Sequence, residues 1–255
     1  MASDAAFPPL PTNWSDAAPI CGVDGARGGW LAICFPSSGR EEMSIHHTIA
    51  ELIAAIPSQA IIAIDMPIGL PERTGPKGRA PERMVRPILG PRRSSVFSVP
   101  PRRAVMEEDY RLGCAIARAN SDPPRAFSRQ AFHIFPKIRE LDALLRSDRT
   151  LAERIIEVHP ELAFAVLNGG DPMRFAKKAR IAGARSGHDE RTKLLSGLGL
   201  PVSFADQPPR GAGSDDVLDA LACLAVAARH RLGLAKPYPN PPERDAHGLP
   251  IAIWA

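Results

Sequence analysis

Hydrophobic positions in this chain come first as short unbroken runs and later as a helical period, and that alternation predicts an α/β protein. Ile20-Cys21-Gly22-Val23-Asp24 is apolar up to its last residue, a turn through Gly25 to Gly29 follows, and Trp30-Leu31-Ala32-Ile33-Cys34-Phe35 resumes the run. The two runs predict a hairpin that opens a sheet. A third strand is expected over 42–47, and Thr48 can cap a helix through Ala55 on which Leu52, Ile53 and Ile56 share a face. Ala60-Ile61-Ile62-Ala63-Ile64-Asp65 is β-branched and continuous, as in a strand covered on both faces.

From Glu72 to Arg103 the pattern gives way to a Pro-, Gly- and Arg-rich stretch, and helices are expected over 103–120 and 127–146. We read 72–150 as an insertion on the sheet. A further strand is predicted at 154–158, then helices at 160–167 and 189–198, and a last long helix from about Ser214 to His230 with Leu218, Leu221, Ala222 and Ala225 on its apolar face. Residues 245–254 suggest a small hairpin turning at His247-Gly248. Residues 1–19 have no periodicity and read as a flexible leader to a single domain over 20–255.

Composition changes this picture little. The 255 residues are 44% hydrophobic and 24% charged, enough apolar material for a packed core. The four cysteines show neither zinc spacing nor a disulfide framework and read as buried free thiols. With no signal-peptide pattern and no apolar run near the ~20 residues of a membrane span, a cytoplasmic location and no membrane partner are expected. The net charge of +4 favours polyanions without requiring them.

The acidic residues carry the chemistry. Asp24 and Asp65 each end a buried strand, where ligands gather in open α/β sheets. Asp216 and Asp219 lie three apart and share the first-turn face of the last helix. Capping and the helix dipole account for Asp215 and Asp216, whereas Asp219 sits inside the helix among apolar neighbours. Glu157 ends the 154–158 strand ahead of His159-Pro160-Glu161. Carboxylates that converge raise one another's pKa unless a cation neutralises them. Hard oxygen donors suit Mg²⁺ or Mn²⁺, and a pair of such ions can activate water against a phosphodiester.

Five segments carry a resemblance: Gly22-Val23-Asp24-Gly25-Ala26 with Gly29-Trp30; Ile64-Asp65-Met66-Pro67-Ile68-Gly69-Leu70; Gly90-Pro91-Arg92-Arg93-Ser94-Ser95-Val96-Phe97; Glu157-Val158-His159-Pro160-Glu161; and Asp215-Asp216-Val217-Leu218-Asp219-Ala220. Together they resemble an uncharacterised bacterial and archaeal family of predicted RNase H-like nucleases, from about Ile20 to the C-terminus. The final acidic helix is similar to that of RuvC-type Holliday junction resolvases. The resemblance implies an RNase H-like mixed sheet with flanking helices, and a nuclease in which Asp24 bridges two ions while Asp65, Asp216 and Asp219 complete the metal shell. Glu157 joins them as a catalytic candidate.

Between Arg73 and Arg103 there are nine Lys or Arg residues against one acid, Glu82. Arg92, Arg93, Arg102 and Arg103, interleaved with Ser94, Ser95 and Phe97, suit phosphate groups and a stacked base, and Lys177, Lys178 and Arg191 offer further contacts to a nucleic-acid substrate. Two rival readings are an actin-like phosphotransferase, which also opens on an Asp-Gly strand turn, and a non-catalytic nucleic-acid-binding protein of the same fold.

Overall fold

The computed structural model describes residues 19–36, 40–181 and 186–255. The expected leader, except for Pro19, lies outside the described residues. Seven strands form one mixed sheet in the order β3-β2-β1-β4-β5-β7-β6: β1 (Ile20–Ala26), β2 (Gly29–Phe35), β3 (Glu42–His46), β4 (Ile61–Ile64), β5 (Ile155–Val158), β6 (Pro237–Arg244) and β7 (Pro250–Trp254). β1, β4, β5 and β7 run parallel, and β2, β3 and β6 are antiparallel to their neighbours. The helices are α1 (Ile49–Ala55), α2 (Ala80–Leu89), α3 (Arg102–Val105), α4 (Tyr110–Ala119), α5 (Arg129–Ser147), α6 (Pro160–Leu167), α7 (Ser186–Gly197) and α8 (Ser214–Arg231).

Side chains alternate across the sheet, so residue parity decides which helix each strand position meets. Ile20, Ala63, Ile156 and Val158 pack with α6 and α8, while Cys21, Val23, Ile62, Ile64 and Ile155 pack with α1 and α5. The uninterrupted apolar runs of β1 and β4 follow from this covering on both faces. α8 lies directly on β1 at Gly22: a Cβ there would come within 2.0 Å of the Ala220 carbonyl oxygen and 2.2 Å of the Leu224 nitrogen. The small residue lets helix and strand backbones touch.

The 72–150 region is more integral than an appended loop. Phe135, Ile138, Leu141 and Leu145 of α5 are fully buried and form the layer on the face opposite α8. Arg102, expected to meet phosphate, is instead buried and joins this region to the C-terminal hairpin, with Nη1 donating to Asp142 at 2.6 Å and Nη2 to Asp245 at 2.7 Å. The cysteine expectation needs correction for one pair. Cys21 and Cys34 stand directly opposite in the β1–β2 register and are joined by a disulfide, while Cys114 and Cys223 are buried free thiols. Among the described residues no helix is long and apolar enough to cross a membrane.

Candidate active site

Asp24 is buried near the end of β1, and its Oδ1 accepts a 2.7 Å bond from the Gly25 nitrogen. Asp65 follows β4 directly, with its nitrogen donating to the Val23 carbonyl at 2.9 Å. Neighbouring strands lie about 4.8 Å apart, so this bond sets the two aspartates side by side at the carboxyl ends of adjacent parallel strands. By parity both project toward α8, as Ala63 does. The close Gly22–Ala220 approach brings Asp219, the residue before Ala220, to the same place.

These three carboxylates act on one another. Burial, and then the charge of Asp219, push the Asp24 carboxyl up to about 8, with Lys177 working in the opposite direction. Asp65 is pushed well above the carboxylate range by burial, then by Asp24 and Asp219. Burial also raises Asp219, against the pull of Lys177, whose Nζ donates to Asp219 Oδ2. Burial opposes the Lys177 charge, but Asp219 and Asp24 hold the ammonium above its ordinary range. Cys223, one turn on from Asp219, has its thiol pushed up by burial and then by Asp65, Asp24 and Asp219.

Of the three, Asp65 and Asp219 line a cleft of about 560 Å³ together with Glu161, His159, Lys177, Arg92, Ser94 and Ser95. The last three come from the 3₁₀ helix Gly90–Ser95, which forms one wall. Expected site residues thus assemble from β1, β4, α8, this wall and the segment after α6. Asp216 is nearby and raises Asp24, but its Oδ2 accepts from the Gly213 nitrogen at 2.8 Å and closes the start of α8. Lys178 is exposed and lines a separate small cavity with Asp215 and Arg180. Arg93 is exposed on the far side of the 90–95 wall.

Two expected residues take other roles. Glu157 pairs with Ile64 in the parallel β4–β5 register and so projects to the face opposite α8, away from Asp24 and Asp65. There it is buried, with Oε1 accepting from Arg79 Nη2 at 2.6 Å and Oε2 from the Ile68 nitrogen at 2.8 Å. A shift of one residue along a strand reverses the face, and Glu157 is on the wrong parity. Arg191 is fully buried, with Nη2 bonded to Glu161 at 2.5 Å and Nη1 to the Gly187 carbonyl at 2.7 Å. It positions Glu161 and does not reach the cleft as a free phosphate ligand.

Glu161 is the carboxylate that sequence reasoning left without a role. It sits in the first turn of α6, raises Asp219 by its charge, and its Oε2 is buried with no hydrogen-bond partner among the described residues. The available signal is the Pro160-Glu161 pair at a helix start, a place where the helix dipole favours an acid in any case. Among the described residues no three His, Cys, Asp or Glu side chains form a group that could hold a metal ion as they stand. The donor chemistry nevertheless suits a hard cation: Asp24, Asp65 and Asp219 repel one another, and Lys177 brings one positive charge against three carboxylates.

Strand order, parity and the acidic cleft define the class: an α/β protein with a mixed seven-stranded sheet, consistent with the RNase H-like fold, bearing carboxylates at the ends of its central parallel strands. Residues 22–244 match a family model described as a protein of unknown function (DUF429), and the chain belongs to that family. No curated protein and no solved structure matches it.

Proposed function

We propose that the protein is a metal-dependent nuclease that hydrolyses phosphodiester bonds in the cleft over Asp24, Asp65 and Asp219. The observation that carries this reading is the shared face of three carboxyl groups, each raised first of all by burial, since ionising such acids side by side needs added positive charge. Asp24, Asp65 and Asp219 would hold Mg²⁺ or Mn²⁺, with Asp216 and Glu161 within electrostatic reach. A divalent ion in such a site supplies Lewis acidity toward a phosphoryl oxygen and lowers the pKa of water.

The chain's own residues do the remaining work. Arg92 on the cleft wall binds a phosphate oxygen, and Lys177 stabilises negative charge at Asp219 until a cation replaces it. Arg191 fixes Glu161 against the carboxylate set. The test is hydrolysis of single-stranded, duplex, hybrid and branched substrates with Mn²⁺ or Mg²⁺. Wild type should cleave at least one class, and Asp24→Asn should lose at least 100-fold in rate with its fold intact. Cleavage that persists in pure Asp24→Asn overturns the site. Wild type that cleaves none of them but transfers phosphate from ATP to a small acceptor identifies a phosphotransferase instead.

A further inference from the structure

The 3₁₀ helix Gly90–Ser95 separates two clefts of opposite character. On one side Arg92, Ser94 and Ser95 wall the carboxylates. On the other, Gly90 and Arg93 line a groove of about 680 Å³ completed by Lys77, Arg83, Arg86, Arg125 and Ser98. Among the described residues its lining holds five cationic side chains and no acid. Glu82, the one acid in the local sequence, is buried beneath and bonded to Arg79 through both its carboxylate oxygens.

The cations are held by groups that leave their charge in place. Arg86 donates through Nε and Nη2 to the Val96 carbonyl, both at 3.1 Å, and through Nη2 to Ser98 Oγ at 2.8 Å. Arg83 Nη1 donates to the Gly78 carbonyl at 2.7 Å. Lys77 sits at φ 68°, a strained turn position, and is exposed in the groove's lining. Arg125 follows α4 in the chain and lies close enough to act on Arg86, whose charge is disfavoured first by burial, favoured by Glu82 and disfavoured by Arg125. Residues 77–93 and the more distant Arg125 thus set five like charges around one concavity, where an entering anion is favoured.

We propose that this groove binds the phosphodiester backbone of a nucleic-acid strand that crosses the Gly90–Ser95 ridge into the carboxylate cleft. The inference rests on the nuclease reading for what happens in the cleft, but not for binding in the groove. Five cations exceed what one phosphate needs, and four are guanidinium groups, whose planar donors match phosphate oxygens. A concave groove also suits a strand better than a flat bilayer surface. Contacts of this kind set position along the strand without reading bases.

The test is fluorescence anisotropy of labelled 20-nucleotide single-stranded DNA and RNA with the full chain in EDTA, across a KCl series. Arg83→Ala/Arg125→Ala removes two exposed groove cations, and Arg111→Ala/Arg118→Ala removes two exposed cations on α4 as a charge-matched control. Melting temperatures verify that both variants fold. The groove variant should raise Kd on the order of 10-fold at 0.1 M salt and reduce the log–log salt slope by about 1.4, because each lost single-strand phosphate contact removes about 0.7. The control should match wild type. An unchanged slope in the groove variant, an equal loss in the control, or no oligonucleotide binding by wild type overturns the proposal. So does loss of binding to phosphatidylglycerol vesicles or to pyrophosphate with oligonucleotide binding unaltered. Because EDTA prevents metal-dependent cleavage, a wild type that binds through the groove but hydrolyses nothing with Mn²⁺ supports the groove and overturns only the catalytic reading.

Discussion

At the residue scale, the site is three acids held together by packing, with the Lys177 ammonium on one of them. Asp24 has a folded-state pKa near 8, raised above its ordinary value of 3.8, so the folded protein keeps a proton that the unfolded chain gives up. Its contribution to stability is fully present below about pH 4 and is lost as pH rises through 8. Asp24→Asn, which cannot ionise, should therefore melt above wild type in EDTA by several degrees at pH 8 and by little at pH 4, as thermal scans would detect. A gain that is equal at both values would mean the carboxyl is not charged against its surroundings. Lys177 gives the complementary prediction. Lys177→Met leaves Asp219 without its cation and should cost about 2 kcal/mol in metal-free protein. It also removes the competitor for that carboxylate, so Mn²⁺ should bind several-fold more tightly by isothermal titration calorimetry. Weaker Mn²⁺ binding would make Lys177 a support of the metal site instead.

At the element scale, two contacts position the site. Gly22 lets α8 rest on β1, and Gly22→Ala should destabilise by about 3 kcal/mol, the upper part of the range for overpacking, because backbone atoms of α8 must move. Measured by urea unfolding, a loss under 1 kcal/mol would show that α8 shifts freely. Arg79 ties α2 to β5 through Glu157 and the carbonyls of Ile68 and Gly69. Arg79→Met should cost about 4 kcal/mol by leaving Glu157 buried and unpaired, and Arg79→Met/Glu157→Met should recover part of the loss.

The same contacts explain what was legible in the chain. Asp24 and Asp65 could be found because an acid ending a β-branched run is anomalous, and Asp219 because it breaks an apolar helix face. Glu157 ends a strand in the same way, and only the β4–β5 register, a long-range fact, places it on the other face. Arg191 looks like any surface cation in sequence because its carboxylate partner lies 30 residues away, and Arg79 shows its near partner Glu82 but not Glu157, 78 residues on. β6 escaped notice because its prolines at 237, 239, 241 and 242 contradict a strand pattern, and an edge position tolerates them.

At the scale of the whole molecule, the fold arranges charge in two adjoining regions. Acids collect at the carboxyl ends of β1 and β4 under α8, and cations collect beyond the Gly90–Ser95 ridge. A substrate with repeated negative charge would be drawn by the second region and needs a metal to approach the first. The central claim is therefore that a divalent cation occupies the acidic cleft. The most direct measurement is anomalous diffraction at the manganese edge from crystals soaked in Mn²⁺. The account predicts an anomalous peak within coordination distance of carboxylate oxygens of Asp24, Asp65 and Asp219, with Lys177 displaced from Asp219. No peak at this position, with Lys177 still bonded to Asp219 at saturating Mn²⁺, would contradict it.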